Sequence, residues 1–259
     1  MSEFLAEQFN LSGKVAALTG AGGFLVGEMC RGLGLAGVRV VCLDANIEAA
    51  QETAEEVRKA GGEALALAVD VRERSHFERA LTDTLDAFGR LDCVLNGAGL
   101  NAPTPFFEIT VDEWNEVLAV QLTGTLLSCQ VFGKHLVDQG EGSIINISSA
   151  SSGPPLSKAF AYSVAKAGVK NLTQNLAREL GTTGVRVNAL RPGFFPTEWS
   201  MKHFITAERE ASILGHTGMK RYGTPPELLG AVMWLFSDAA SFVTGAEIAV
   251  DGGFTAMTI

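Results

Sequence analysis

The residues best equipped for chemistry lie in the stretch SASSGPPLSKAFAYSVAK, which runs from Ser149 to Lys166. Tyr162 and Lys166 stand four positions apart, so a helix would place them one turn apart on one face. A free tyrosine has a pKa of about 10, which leaves only about one phenol in a thousand ionised at neutral pH. A lysine one turn away favours the phenolate, and a shift of about three units corresponds to roughly 4 kcal/mol. Such a phenolate takes the proton of an alcohol or, in reverse, protonates a developing alkoxide. Ser149 follows an apolar run at 142–147 that reads as a buried strand, and its hydroxyl would hold the same substrate oxygen. A lone Tyr-x-x-x-Lys is also a common surface pair, so its meaning depends on the elements that surround it.

Those elements alternate. Apolar strands are expected at 14–19, 38–43, 64–69, 91–95, 143–147, 185–190 and 247–250. Helical patterns fall between them at 24–36, 48–60, 73–88, 110–137, 160–180 and 225–236. The strands are continuously apolar rather than alternating, which calls for a parallel sheet covered on both faces. Right-handed crossovers then give an α/β doubly wound fold. No repeat or linker interrupts the pattern. We expect a single domain over 1–259, with a cofactor half at about 1–100 and a catalytic half at about 101–259. The segment 194–221 lacks a clear period. It follows a strand's carboxyl end, where such folds bind ligands, and reads as an irregular flap over the site.

The upstream half carries a nucleotide signal. Gly20, Gly22 and Gly23 sit between the first strand and the helix that opens with Phe24 and Leu25. Glycines there let the backbone approach a pyrophosphate, and the helix start supplies free N–H groups. Asp44 ends the second strand 24 positions after Gly20. A carboxylate at that place accepts ribose hydroxyls and repels a 2′-phosphate, so NAD is expected over NADP. Asp70 ends the third strand, and Asn96, Gly97 and Ala98 follow the fourth, where they would flank adenine and ribose.

The bulk composition narrows the class. The chain has 259 residues, 47% of them apolar, and a net charge of −9. That charge argues against nucleic acid or an anionic membrane as partner. The four cysteines are dispersed and the four histidines form no close cluster, so no metal is expected. The N-terminus lacks the order of a secretory signal, and a cytoplasmic protein with a small-molecule substrate is expected.

Thr19-Gly20, Asn96-Gly97-Ala98-Gly99, Ser149, Tyr162-x-x-x-Lys166, Pro192-Gly193 and Asp251-Gly252-Gly253 together resemble the short-chain dehydrogenase/reductase family. The resemblance implies a Rossmann-type sheet of about seven strands, commonly in a homotetramer, and catalysis by Ser149, Tyr162 and Lys166. It implies that Val71 joins Asp70 at adenine, and that Pro192, Gly193, Phe195 and Thr197 line the nicotinamide side, with Tyr162 and Lys166 also reaching the cofactor. ALTGAGGFL, RVNALRPGFFPTE and FVTGAEIAVDGGF are similar to the short-chain enzymes that oxidise or reduce D-mannonate and fructuronate. Two features depart from the family pattern. Phe24 and Val26 replace glycines, and Gln121 replaces the asparagine that helps hold a proton-relay water, so Gln121 is carried as a fourth catalytic member with a modified role.

The expected reaction is therefore NAD-dependent interconversion of a secondary alcohol and a ketone, on a sugar acid, sugar or polyol. Two readings compete: the same chemistry on a steroid, acyl or cyclic ketone, and a nucleotide-binding regulator without turnover. The flap carries Lys202, Arg209, Lys220 and Arg221 against Glu198, Glu208 and Glu210, a mild bias toward an anionic or polyol ligand. Asn101, Lys158, Arg191, His203 and His216 are further polar candidates at the rim. Phe194, Trp199 and Phe204 are expected to pack the flap.

Overall fold

Uninterrupted runs of valine, alanine and leucine can be buried on both sides only inside a covered sheet. The computed structural model describes residues 3–203 and 205–257, without the side chains of Glu198, Trp199 and His203, and places those runs in this way. The seven strands are β1 (Val15–Thr19), β2 (Arg39–Asp44), β3 (Ala64–Ala68), β4 (Cys93–Asn96), β5 (Gly142–Ile147), β6 (Val185–Pro192) and β7 (Glu247–Val250). All neighbours are parallel, in the order β3-β2-β1-β4-β5-β6-β7. Strand order reverses between β1 and β4, so their carboxyl ends open a crevice. The registers align those ends: Thr19 pairs with Leu43 on one side and Asn96 on the other, and Asn96 pairs with Asn146.

Successive strand residues feed opposite cores. Ala16 and Leu18 pack toward α2 (Phe24–Leu35), α3 (Ile47–Lys59) and α10 (Leu229–Phe236), through Met29, Leu33, Ala54, Val232 and Phe236. Val15 and Ala17 pack toward α4 (Arg74–Phe88), α6 (Gly124–Gln139) and α7 (Phe160–Leu180), through Phe77, Phe132, Leu136 and Ala177. The lead-in forms a short helix, α1 (Glu3–Gln8), with no buried residue.

Three expectations are corrected. The helical stretch from residue 110 is not uniform. It is α5 (Val111–Leu118), then a π-helical turn over Ala119–Thr123, then α6. The flap is not irregular, because it contains α8 (Glu198–His203) and α9 (Ala207–His216), capped by the hydroxyls of Thr197 and Thr206. The pattern at 225–236 starts as a 3₁₀ turn over Pro225–Leu228 before α10. Phe204 and the side chains of Glu198, Trp199 and His203 lie outside the described residues.

Candidate active site

A cleft of about 870 Å³ runs along the carboxyl ends of the strands. Its walls at the β1–β2 side are Gly20, Gly23, Phe24, Leu25, Asp44, Asp70 and Val71. Gly20 takes φ +78°, and a Cβ there would lie 2.8 Å from Ala98 Cα, so the β1 and β4 loops meet only because the residue is glycine. Thr19 Oγ1 accepts the Gly97 and Ala98 N–H groups at 3.1 and 3.2 Å and locks the two loops together. Gly23 caps α2 without a side-chain hydrogen bond, so the first amides of α2, from Phe24 onward, lack intrahelical acceptors. Those amides, with their dipole end, suit a pyrophosphate. The departures at 24 and 26 are accommodated by register: the helix begins at Phe24, which is exposed, while Val26 is buried against Gly97.

Asp44 is fixed by backbone. Gly22 N–H donates to Oδ2 and Asn46 N–H to Oδ1, both at 2.9 Å. Asp70 is held instead by Arg72, whose guanidinium reaches both carboxylate oxygens. Those hydrogen bonds keep the Asp70 carboxyl below its ordinary range. The side chain of Asn96 turns away from the cleft into the core, where Nδ2 donates to Asn146 Oδ1 at 2.9 Å. The backbone of Gly97, Ala98 and Gly99 lines the cleft in its place. A dinucleotide therefore fits this half by its uncapped helix start, its acidic strand end and its glycine-lined floor.

The other half is built by β5, α7 and the segment after β6. Ser149 is nearly buried, and its Oγ accepts hydrogen bonds from Ser151 N–H and Oγ. Tyr162, in the first turn of α7, lines the cleft beside it. Lys166, one turn on, is 4% exposed. Its Nζ donates to the Ile147 carbonyl at 2.7 Å and sits 5.6 Å from the Tyr162 ring centroid. Burial pushes the Tyr162 phenol above its ordinary value, and the hydrogen bond with Ser149 only partly offsets this. Burial also pushes Lys166 down to about 7. Among the protein's own groups burial governs both shifts, and the oxidised nicotinamide expected to act with Lys166 on the phenol is not one of them.

Gln121 lies in the π-helical turn, 1% exposed. Its Nε2 donates to the Leu100 carbonyl at 2.7 Å, and its Oε1 is buried with no partner. Its carbonyl accepts the Thr125 hydroxyl at 2.8 Å. The long amide is accommodated because residue 99 is glycine, where a Cβ would lie 2.8 Å from Nε2.

Gly193, Phe194, Phe195 and Thr197 line the cleft, whereas Pro192 ends β6 behind it. Asn101, Lys158 and Arg209 stand on its wall. Arg209 donates to Ser157 Oγ at 2.8 Å, which ties α9 to the loop before α7. The other polar candidates are elsewhere. Lys220 binds the Gly215 carbonyl, Arg221 pairs with Glu227, and His216 packs against Phe254. Arg191 is not at the rim but partly buried behind Ser149. Its partner Glu247 was missed from sequence, although a carboxylate inside an apolar terminal strand was a visible signal.

The family model described as enoyl-(acyl carrier protein) reductase, a short-chain dehydrogenase model, matches residues 27–255. The uncharacterized oxidoreductase UxuB of Bacillus subtilis is 40% identical over 95% of this chain and 96% of its own. A gluconate 5-dehydrogenase from Burkholderia cenocepacia, solved with NADP and tartrate, is 31% identical with TM-score 0.93, over 98% of this chain and all of that one (100%). A candidate D-mannonate oxidoreductase from Haemophilus influenzae, solved with NAD, is 34% identical with TM-score 0.91, over 98% and 99% of the two chains. The chain belongs to the short-chain dehydrogenase/reductase family. It is a nicotinamide-dependent oxidoreductase of CH–OH groups, which closes the regulator reading. Among the described residues, no helix is long and apolar enough to cross a membrane.

Proposed function

We propose that the protein interconverts a secondary alcohol and a ketone on a sugar acid, sugar or polyol, with NAD as its cofactor. The carrying observation is that Ser149 and Tyr162 share one wall of a cleft whose opposite end suits a dinucleotide, with Lys166 buried one turn behind Tyr162. The bound nicotinamide supplies the hydride acceptor or donor. Ser149 orients the substrate oxygen. Tyr162 gives or takes the proton at that oxygen through its hydroxyl. Lys166 fixes the α7 turn through Ile147 and supplies a positive charge when protonated. Gln121 holds the β4 loop by its bond to Leu100, a role in positioning rather than contact.

Charge distribution supports an acidic substrate. The cleft's carboxylates, Asp44, Asp70 and Glu116, all lie toward the nucleotide end, and Asp70 is already paired with Arg72. Lys158 and Arg209 stand on the Tyr162 side, and no carboxylate lines that side among the described residues. Glu208 and Glu210 of α9 do not line the cleft. Arg209 is spent on a neutral partner, Ser157, which a substrate carboxylate would replace with a stronger, bidentate one. The gluconate and D-mannonate names of the two similar structures fit this reading.

The test is NADH formation against a panel of aldonic acids and their neutral polyol counterparts, repeated with NADP. We expect turnover of at least one sugar acid, higher kcat/KM with NAD, and a loss of about 10- to 100-fold in Arg209→Met for the acid only. Turnover confined to apolar ketones would overturn the substrate class, and a preference for NADP would overturn the role of Asp44. We also place the enzyme in the cytoplasm and in a homotetramer. Phe106, Phe107, Val111, Phe160 and Val164 leave an exposed apolar surface near the start of α7 that subunit contact would cover. Sedimentation showing a 27.3 kDa species would exclude the tetramer.

A further inference from the structure

A partly buried ionic cluster lies directly behind the serine. Glu247, at the start of β7, has a side chain only 10% exposed. Its Oε1 accepts the hydroxyls of Ser148 at 2.6 Å and Ser152 at 2.8 Å. Its Oε2 faces Lys170 Nζ and Arg191 Nη1, each at 3.3 Å. The two hydroxyls are its hydrogen-bond donors, and the two cations stand within ion-pair distance of its other oxygen. Arg191, 14% exposed, reaches in the other direction as well: its Nε donates to the Ser149 carbonyl at 3.2 Å. That carbonyl also accepts Ser152 N–H at 2.9 Å. Ser148, Ser149 and Ser152 are therefore all tied, directly or through Arg191, to one carboxylate. The guanidinium packs close to the turn, since a Cβ at Gly153 would lie 2.9 Å from Arg191 Nη2.

Burial by itself would push the Glu247 carboxyl up. The Ser148 and Ser152 hydroxyls, with the charges of Arg191 and Lys170, hold it below the ordinary carboxylate range. The carboxylate is therefore ionised wherever the enzyme is folded near neutrality. A largely buried, paired charge is costly to assemble and adds little net stability over an apolar replacement. What it supplies is direction: through Ser148, Ser152 and Arg191 it fixes the backbone on both sides of Ser149, in a turn whose residues Ala150 to Ser152 are themselves buried.

We propose that Glu247 and Arg191 are positioning residues for catalysis, which hold Ser149 at the distance from the Tyr162 hydroxyl that proton transfer requires. They touch neither substrate nor cofactor, and act through Ser149 alone. This rests on the role given to Ser149 in the proposed function. A hydroxyl misplaced by about 1 Å costs on the order of 100-fold in rate, so most of the effect falls on kcat.

The test is a double-mutant cycle of Glu247→Gln with Ser149→Ala, read as kcat, KM and the dissociation constant of NADH. We expect Glu247→Gln to lower kcat by about 10- to 100-fold with NADH affinity unchanged. In the Ser149→Ala background the same change should lower kcat by less than about twofold, because the residue it positions is gone. Arg191→Lys, which keeps the charge and loses the Nε donor, should repeat the pattern if Glu247→Gln does not fold. Equal losses in both backgrounds, or a kcat within about twofold of wild type for both single variants, would overturn the proposal and leave the proposed function standing. A Ser149→Ala enzyme as active as wild type would overturn the role of Ser149 and this proposal with it.

Discussion

Tyr162→Phe is expected to lower kcat by about 10²- to 10⁴-fold, the usual range for loss of a general acid–base. The change removes one oxygen and keeps the ring, so the Lys166 contact at 5.6 Å and the start of α7 should survive. NADH affinity and thermal stability should therefore stay near wild type. The pH dependence carries further information. Burial holds the phenol protonated beyond its ordinary value, and the bond with Ser149 works in the opposite sense. A protonated phenol is ready to reduce a ketone, whereas alcohol oxidation needs the ionised form. Oxidation should thus rise with pH through the Tyr162 transition and reduction should fall. Both limbs should vanish in Tyr162→Phe. A variant with wild-type kcat, or with an unchanged pH profile, would remove Tyr162 from the mechanism.

Lys166→Met should give a variant that is inactive yet more stable in mild acid. In the folded protein burial brings Lys166 to about 7, against 10.5 for the ordinary side chain. Between these values the unfolded chain binds more protons, so the stability of the wild type rises with pH across the window from about 7 to 10.5. Below it the cost of burying the ammonium is present in full, at most roughly 5 kcal/mol. Methionine carries no proton and avoids that cost. It forfeits the 2.7 Å bond to Ile147, worth about 1 kcal/mol at any pH. Urea unfolding at pH 6 should therefore favour Lys166→Met, and the advantage should shrink and then reverse as pH approaches 10. Stability curves that run parallel for the two proteins across this range would show that Lys166 titrates normally.

The two predictions draw on different kinds of information. The placement of Tyr162 and Lys166 on one helix, and of Asp44 and the glycines around residue 20 at strand ends, was legible because it is dictated by local geometry. One turn of helix joins the phenol to the ammonium, and one strand end presents each acid. The strands were legible for a similar reason, since a segment buried on both faces tolerates no polar interruption. Their order is not written in any one of them. The segment after β6 defeated sequence reading because α8 and α9 are short and follow a loop rich in proline and aromatics. Their amphipathic period spans too few turns to stand out. The π-helical turn was hidden for another reason: it accompanies a bond from Gln121 to Leu100, across a space that Gly99 leaves open, between residues 21 positions apart.

By itself the sequence determined that this chain is a doubly wound α/β oxidoreductase of CH–OH groups. Those features depend on contacts within a turn or on burial along a single strand. The tertiary structure decided how the chemical groups are tuned. It buried Lys166 until its proton became weakly held, and turned Asn96 into the core. It set Arg209 across from Ser157, and joined Glu247 of the last strand to Arg191, Lys170 and the serines around residue 149. Burial and partnership of that kind involve residues about 50 to 100 positions apart, brought together only when parallel strands align their carboxyl ends. No local pattern records them.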